Sequence, residues 1–172
     1  MAITLAVSAG LGAGTDHGGA TGLRPAAIDS TSRGAWRWPL QGVALTRPFE
    51  APATPYSAGH RGVDLRAAPG AAVSAPSDAV VHFSGVVVDR PVLTLDHGDG
   101  VLSSYEPVRS ELKAGDSVAV GGSVGVVSTG GHCNEACLHV GVRVYGEYVS
   151  PLLYFDRVPR AVLLPLGSGS GR

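Results

Sequence analysis

The chain has 172 residues, of which 44% are hydrophobic, and its formal net charge is −1. This length suits one compact domain with tails, and the apolar fraction is sufficient for a core. The near-neutral charge and the lack of a basic run argue against nucleic acid as a partner. No stretch is long and apolar enough to cross a bilayer, so we expect no membrane span.

The two ends of the chain differ in composition from its middle. Residues 1–35 contain many small residues, and we interpret them as a leader remnant followed by a flexible linker. The apolar run 3–11 resembles the end of a secretory signal without its basic segment, and a disordered leader is the alternative. We predict a β domain at 36–158, which begins with two tryptophans that could pack against a core, and a flexible tail at 159–172.

Short apolar runs separated by turn signals fill the predicted domain. The 25 glycines and 12 prolines favour many short strands over long helices, and Asp99-Gly100 is a strong hairpin signal. The strands are predicted, in chain order, at 72–75, 79–83, 91–96, 101–105, 118–120, 124–127 and 138–145. Their spacing of about ten residues predicts an all-β antiparallel sandwich or barrel with no helix longer than about three turns.

Two histidines and one aspartate have the chemistry of a zinc site. His60 and Asp64 are four residues apart, and His139 follows on the last predicted strand. Two imidazoles and a carboxylate suit Zn²⁺ and leave one coordination position open for water. Residues two apart on a strand share a face, so His139 shares one with Cys137, while Leu138 packs on the other.

A series of short motifs occurs in a specific order along the chain. They are Gly59–Asp64, Pro69-Gly70, Val73–Ala75, Ala79–Val81, Asp96–Gly100, Lys113–Val118, Val124-Gly125, Ser128–Gly130 and Leu138–Val140. This order resembles the lysostaphin-type peptidoglycan metalloendopeptidases over about 38–155. The resemblance implies an antiparallel β sheet with a central groove, Zn²⁺ held by His60, Asp64 and His139, and cleavage of peptides in bacterial peptidoglycan. It also implies a secreted, cell-wall-associated protein, which we expect to be a monomer.

Two histidines that this family uses to orient water and to stabilise the oxyanion are missing. The strand motif that normally contains the first reads Tyr105–Val108, with Pro107 in place of the histidine. The second normally stands two residues before the ligand His139, where this chain has Cys137. Removing one such group typically lowers the rate by about a hundredfold to a thousandfold. These replacements therefore put hydrolysis in question.

Three other side chains could take over a catalytic role. His132 precedes the two cysteines and could reach the position of the lost histidine. Tyr56 resembles a family tyrosine that donates to the oxyanion, although a packed aromatic is the alternative. Glu106 could act as a general base. We expect it to face outward, however, because it alternates with Tyr105 and Pro107 on the strand.

The sequence leaves two functions open and excludes a third. The chain is either a zinc-dependent peptidoglycan endopeptidase or a metal-retaining, catalytically inactive homologue that binds the wall or regulates another cell-wall hydrolase. The glycine-containing motifs also resemble biotinyl and lipoyl carrier domains. Such a domain needs a lysine at a hairpin tip, and the only lysine, Lys113, is not at one. The retained ligands favour the enzyme over the inactive homologue.

The two cysteines, Cys133 and Cys137, are close in sequence. In an oxidising compartment, which the resemblance implies, we expect them to form a disulfide that draws His132 towards the groove. In a reducing compartment Cys137 could instead be a thiolate ligand of Zn²⁺ and close the site to water. The disulfide is the prediction that we favour.

Overall fold

The computed structural model describes residues 36–54, 56–133 and 136–155, with only the backbone of Cys133. The predicted leader and linker, 1–35, and the predicted tail, 159–172, lie outside the described residues. The described strands are β1 Leu45–Arg47, β2 Gly62–Arg66, β3 Ala72–Ser74, β4 Ala79–Val87, β5 Arg90–Asp96, β6 Val101–Glu106, β7 Val108–Arg109, β8 Ser117–Val118, β9 Ser123–Val127, β10 Cys137–Val144 and β11 Glu147–Val149. Short 3₁₀ turns at Gly131–Cys133 and Pro151–Leu153 complete the secondary structure of this part.

The larger of two antiparallel sheets positions the candidate ligands. Its strand order is β1-β2-β10-β6-β5-β4-β8, and β11 also pairs with β10. The strands β2, β10 and β6 are adjacent near its middle. Alternation along β2 buries Val63 and Leu65 in the core, so Asp64 faces the opposite side of the sheet. The same alternation along β10 buries Leu138 and Val140 and leaves His139 on the side of Asp64.

The hydrophobic core of the described residues lies between the larger sheet and a second sheet of order β3-β9-β7. Its fully buried side chains come from both sheets: Val63, Leu65, Val73, Val81, Leu93, Leu95, Tyr105, Val108, Val124, Leu138, Val140 and Val142. Because the second sheet covers only one face of the larger sheet, the other face is left to form a groove. The ligand candidates therefore stand on a floor fixed by the core beneath it.

The prediction of an all-β antiparallel fold is confirmed. The predicted strands correspond to β3, β4, β5, β6, β8, β9 and β10, with ends that differ by a few residues. Four strands, β1, β2, β7 and β11, were missed. Three of them have only two or three residues, which are too few to show an alternating pattern. The five-residue β2 contains Gly62 and Asp64, residue types that are infrequent in strands. Within the described residues, no helix has the length and apolar character that a bilayer crossing requires.

The two ends of the described domain meet beside the half-buried His97. Trp36 is 5% exposed and its backbone nitrogen donates to the carbonyl of Tyr154. Its ring lies 4.3 Å from that of His97. The two nitrogens of His97 contact the hydroxyl oxygens of Ser77 at 2.8 Å and Ser103 at 2.7 Å. Because the ring is largely shielded from water, the pKa of His97 is lowered from 6.5 to about 4. A hydrogen bond to the backbone carbonyl of Asp78 opposes this shift.

We expect His97 to make the domain acid-sensitive. The unfolded chain binds a proton at His97 below about pH 6.5, whereas the folded chain does so only near pH 4. As the pH is lowered from about 6.5 to about 4, the free energy of unfolding should thus fall by up to ~1.4 kcal/mol for each pH unit. Urea unfolding of the metal-free protein between pH 7 and pH 4 measures this slope. His97→Gln should flatten it, and equal slopes for both proteins would contradict the assignment.

Candidate metal centre and groove

Three neighbouring strands present a row of polar side chains on the floor of the groove. Strand register places Asp64 of β2 opposite His139 of β10, and His139 opposite Glu106 of β6. His60 precedes β2 and is tied to the chain by a backbone bridge to Glu50. Its Nδ1 donates to the carbonyl oxygen of Pro48 at 2.6 Å. This hydrogen bond fixes the tautomer that turns the lone pair of Nε2 towards Asp64.

Asp64 is the centre of a compact group of possible metal donors. Its Oδ1 lies 3.0 Å from Nε2 of His60 and 2.8 Å from Nδ1 of His139, and these two nitrogens are 3.1 Å apart. Nε2 of His132 lies 3.1 Å from both Asp64 oxygens. The donor atoms of all four residues lie within 4.8 Å of one another. The structure therefore brings together the three predicted ligands and the predicted catalytic candidate His132.

The residues present fit a zinc ion. Ligands at about 2.0–2.1 Å from a tetrahedral centre are separated by about 3.3 Å, close to the 2.8–3.1 Å that separate the nearest of these atoms. Burial opposes ionisation of Asp64, but hydrogen bonds from His139 and His132 outweigh it and lower the pKa of Asp64 from 3.8 to about 2. Its carboxylate is therefore ionised and able to bind a cation at neutral pH.

The backbone at Gly62 leaves room for the His139 ring. A methyl group at this position would overlap the carbonyl oxygen of Val140 and lie 2.6 Å from Nε2 of His139. The opposite residue on β10 is Gly141, where a methyl group would lie 3.9 Å from the same nitrogen. The close packing of β2 against β10 thus requires a glycine at 62 more strictly than at 141.

The loop that carries His132 rests on the turn between β4 and β5. A methyl group on Gly130 would lie 2.5 Å from the carbonyl oxygen of Asp89, and one on Gly131 would lie 2.6 Å from Cδ of Arg90. Nε of Arg90 donates to Oε2 of Glu106 at 2.7 Å, which joins this turn to β6. These contacts place the 3₁₀ turn with His132 at the open side of the donor group.

The prediction for Glu106 was wrong. Its side chain lines the groove and is paired with Arg90. Tyr105 is fully buried in the core, so the next residue on the strand must face the opposite side of the sheet. The alternation of Glu106 with Tyr105 was correct, but the face opposite Tyr105 lines the groove and does not point away from the site. Glu106 thus stands beside His139, near where the family has a histidine that Pro107 replaces here.

Two further candidates are not brought to the donor group. Tyr56 is 98% exposed and does not line the groove in the part of the chain that the structure describes, so it is not placed to donate to an oxyanion there. Cys137 is 7% exposed at the start of β10. Its sulfur is not among the described atoms that could hold a metal, so the alternative of a thiolate ligand has no support.

The sequence model of peptidase family M23 matches residues 58–151 of the chain. The match contains His60, Asp64, His132 and His139, and it covers more than half of the chain. The chain belongs to peptidase family M23. The resemblance to the lysostaphin type is thereby confirmed.

Two relatives align with most of the chain. An uncharacterized protein of Mycobacterium tuberculosis is 37% identical over 155 residues, which are 86% of this chain and 60% of the relative. The murein hydrolase activator NlpD of Escherichia coli is 31% identical over 137 residues, which are 74% of this chain and 33% of that protein. The chain thus spans less than two thirds of the length of either relative.

Solved structures show the same fold. A zinc-containing peptidase from Vibrio cholerae superposes with a TM-score of 0.59 at 21% identity, over 68% of this chain and 39% of that one. Lysostaphin superposes with a TM-score of 0.53 at 21% identity, over 67% of this chain and 48% of that one. The chain therefore has the fold of these structures.

The pairing of Cys133 with Cys137 stays a prediction. The two residues bracket the segment between the His132 turn and β10, and a disulfide there would limit the motion of His132 relative to His139. Thiol titration of the unfolded, metal-free protein without reductant should detect no free thiol. The same titration after reduction should detect two. Two thiols before reduction would rule out the disulfide.

Proposed function

We propose that this chain is a zinc-dependent endopeptidase that cleaves peptides of bacterial peptidoglycan, as a secreted, cell-wall-associated protein. The observation that supports hydrolysis is the position of His132. Its side chain is 43% exposed, whereas those of His60, Asp64 and His139 are between 4% and 11% exposed. An accessible imidazole thus stands next to the three proposed ligands, on the solvent-exposed side of the donor group. It offers a substitute for a histidine that the chain lacks.

Each polar group then has a distinct task. His60, Asp64 and His139 would hold Zn²⁺, which when bound polarises a substrate carbonyl and makes water more acidic. Nε2 of His132 would accept a proton from the attacking water and return it to the leaving amine. Glu106, fixed by Arg90, would present its carboxylate to the backbone N–H groups of a peptide in the groove.

A second function is favoured by a different interpretation of the same distances. Nε2 of His132 is as close to Asp64 as the nitrogen of His60 is, so His132 could be a fourth ligand. Four protein ligands would leave no position for water, as in structural zinc sites. The chain would then be an inactive module that binds the wall or regulates a hydrolase. The similarity to NlpD, a murein hydrolase activator, supports this second candidate.

Digestion of purified peptidoglycan distinguishes the two functions. The zinc-loaded protein should release new amino groups from peptidoglycan, and Asp64→Ala should release none. His132→Ala should retain zinc but lose about a hundredfold or more in rate if the imidazole transfers protons. No release by the zinc-loaded wild type would overturn the enzyme. Co-sedimentation with intact walls would then test the binding module.

A further inference from the structure

The groove has an excess of positive charge that the proposed chemistry does not use. Its described lining contains four arginines and one glutamate. Arg90 is paired with Glu106 at 2.7 Å, and Arg47 lies 3.9 Å from Glu50. Arg143 forms no ion pair with an acidic side chain of the described residues. Arg143 thus places a positive charge at the end of the groove near β11 that no described acidic side chain pairs with.

Arg143 and Arg61 converge on one aromatic ring. The guanidinium carbon of Arg61 lies 5.8 Å from the ring centroid of Tyr148, and that of Arg143 lies 5.7 Å from it. Arg143 pairs in register with Tyr148 across β10 and β11, and Arg61 donates to the carbonyl oxygen of Ser57. Two like charges are thus held around one ring. An anion that accepts hydrogen bonds from Arg143 would also be attracted by the nearby charge of Arg61.

This end of the groove is connected directly to the donor group. His139, Gly141 and Arg143 alternate along β10 and lie on the same face. Gly141 has no side chain, so the floor between His139 and Arg143 is open. The two α-carbons are separated by about 13–14 Å along the strand, and an extended peptide covers this distance in about four residues. The long Arg143 side chain shortens the span to be bridged.

We infer that Arg61, Arg143 and Tyr148 form a subsite that binds a carboxylate of the peptide lying in the groove, a few residues from the bond at the metal. The inference rests on the proposed function, because it takes the ligand to be a peptide substrate. Planar carboxylate groups match the fork of an arginine, and a tyrosine ring beneath holds that fork in place. Peptides that carry free carboxylates are therefore preferred over peptides in which these groups are amides.

Fluorescence anisotropy with a labelled peptide tests this subsite without relying on hydrolysis. The probe is Ala-Glu-Lys-Ala with free carboxylates, and comparison peptides have the side-chain carboxylate, the terminal carboxylate or both as amides. The zinc-loaded wild type should bind the free acid at least about tenfold more tightly than the double amide. The single amides show which carboxylate is recognised. Equal binding of all four peptides would overturn the inference.

Substitutions show whether Arg143 produces the preference for the free-acid peptide. Arg143→Gln should reduce the preference for the free acid about tenfold and leave binding of the double amide unchanged, while Arg143→Lys should retain part of it. The matched control is Arg109→Gln, which removes an exposed arginine of β7 outside the groove. Unchanged zinc affinity and melting temperature show that the variants are folded. A preference that persists in Arg143→Gln, or that Arg109→Gln also removes, would overturn the subsite.

Two further measurements separate this subsite from a general anion site and from the proposed hydrolysis. Inorganic phosphate should displace the peptide only at much higher concentration than the unlabelled acidic peptide, and equal potency would show a general anion site instead. The same peptides are tested on Asp64→Ala. If peptidoglycan is not cleaved but the carboxylate preference remains, the proposed hydrolysis fails and the subsite stands. If peptidoglycan is cleaved without any preference, the subsite alone fails.

Discussion

Asp64→Ala is expected to weaken binding of Zn²⁺ by a hundredfold or more. Asp64 is the only carboxylate in the donor group, and its oxygens contact all three histidines. Structural zinc sites with four ligands bind with about 10–16 kcal/mol in total, or roughly 3 kcal/mol for each ligand, so the loss of Asp64 from the three proposed ligands should cost about a hundredfold in affinity. Removal of the negative charge adds to this loss because the remaining ligands are neutral. Competition with a chromophoric chelator at pH 7 measures the affinity.

Glu111→Ala is the matched control for this substitution. It removes an equal charge from an exposed residue that lies outside the donor group. Its zinc affinity should equal that of the wild type. A zinc affinity of Asp64→Ala within a few fold of the wild type would show that the ion does not bind at this site. Loss of affinity in both variants would point to a general electrostatic effect of the net charge.

The sequence could predict part of the floor of the groove, because the face that a side chain occupies depends on the local pattern of its own strand. On a strand, alternation determines which side chains share a face, so the face of His139 followed from the strand predicted at 138–145, whereas the strand that contains Asp64 was not predicted. The order of the motifs, through the family resemblance, indicated that Asp64 and His139 come together, which periodicity alone cannot show. The register of β2 and β10 in the structure places the two residues directly opposite each other.

The parts of the site formed by loops and by distant contacts were harder to predict. His132 reaches Asp64 because glycines at 130 and 131 let its loop approach Arg90 closely, a contact between segments about forty residues apart. Glu106 was expected to face away from the site, because alternation along β6 does not show which face of the strand lines the groove. Tyr56 follows a short loop whose direction no local pattern determines. In each case the missing information concerned packing between residues that are far apart in the sequence.

Gly62→Ala should have the second large effect, on both stability and zinc binding. The new methyl group would overlap the carbonyl oxygen of Val140 and lie 2.6 Å from Nε2 of His139. Because β2 and β10 are central strands over a packed core, they cannot separate freely. We expect the free energy of unfolding to fall by about 2–3 kcal/mol. Zinc affinity should fall at least about tenfold, because the His139 ring must move away from Asp64.

Gly141→Ala provides the control, since it adds the same methyl group to the residue directly opposite Gly62. There the nearest atom is the carbonyl oxygen of Arg61 at 3.3 Å, and Nε2 of His139 is 3.9 Å away. A shift of a few tenths of an ångström accommodates this group, so we expect a loss below about 1 kcal/mol and nearly unchanged zinc affinity. Urea unfolding and chelator competition are measured on both variants. Equal effects of the two substitutions would mean that β-sheet propensity, rather than the space above Gly62, sets the position of the His139 ring.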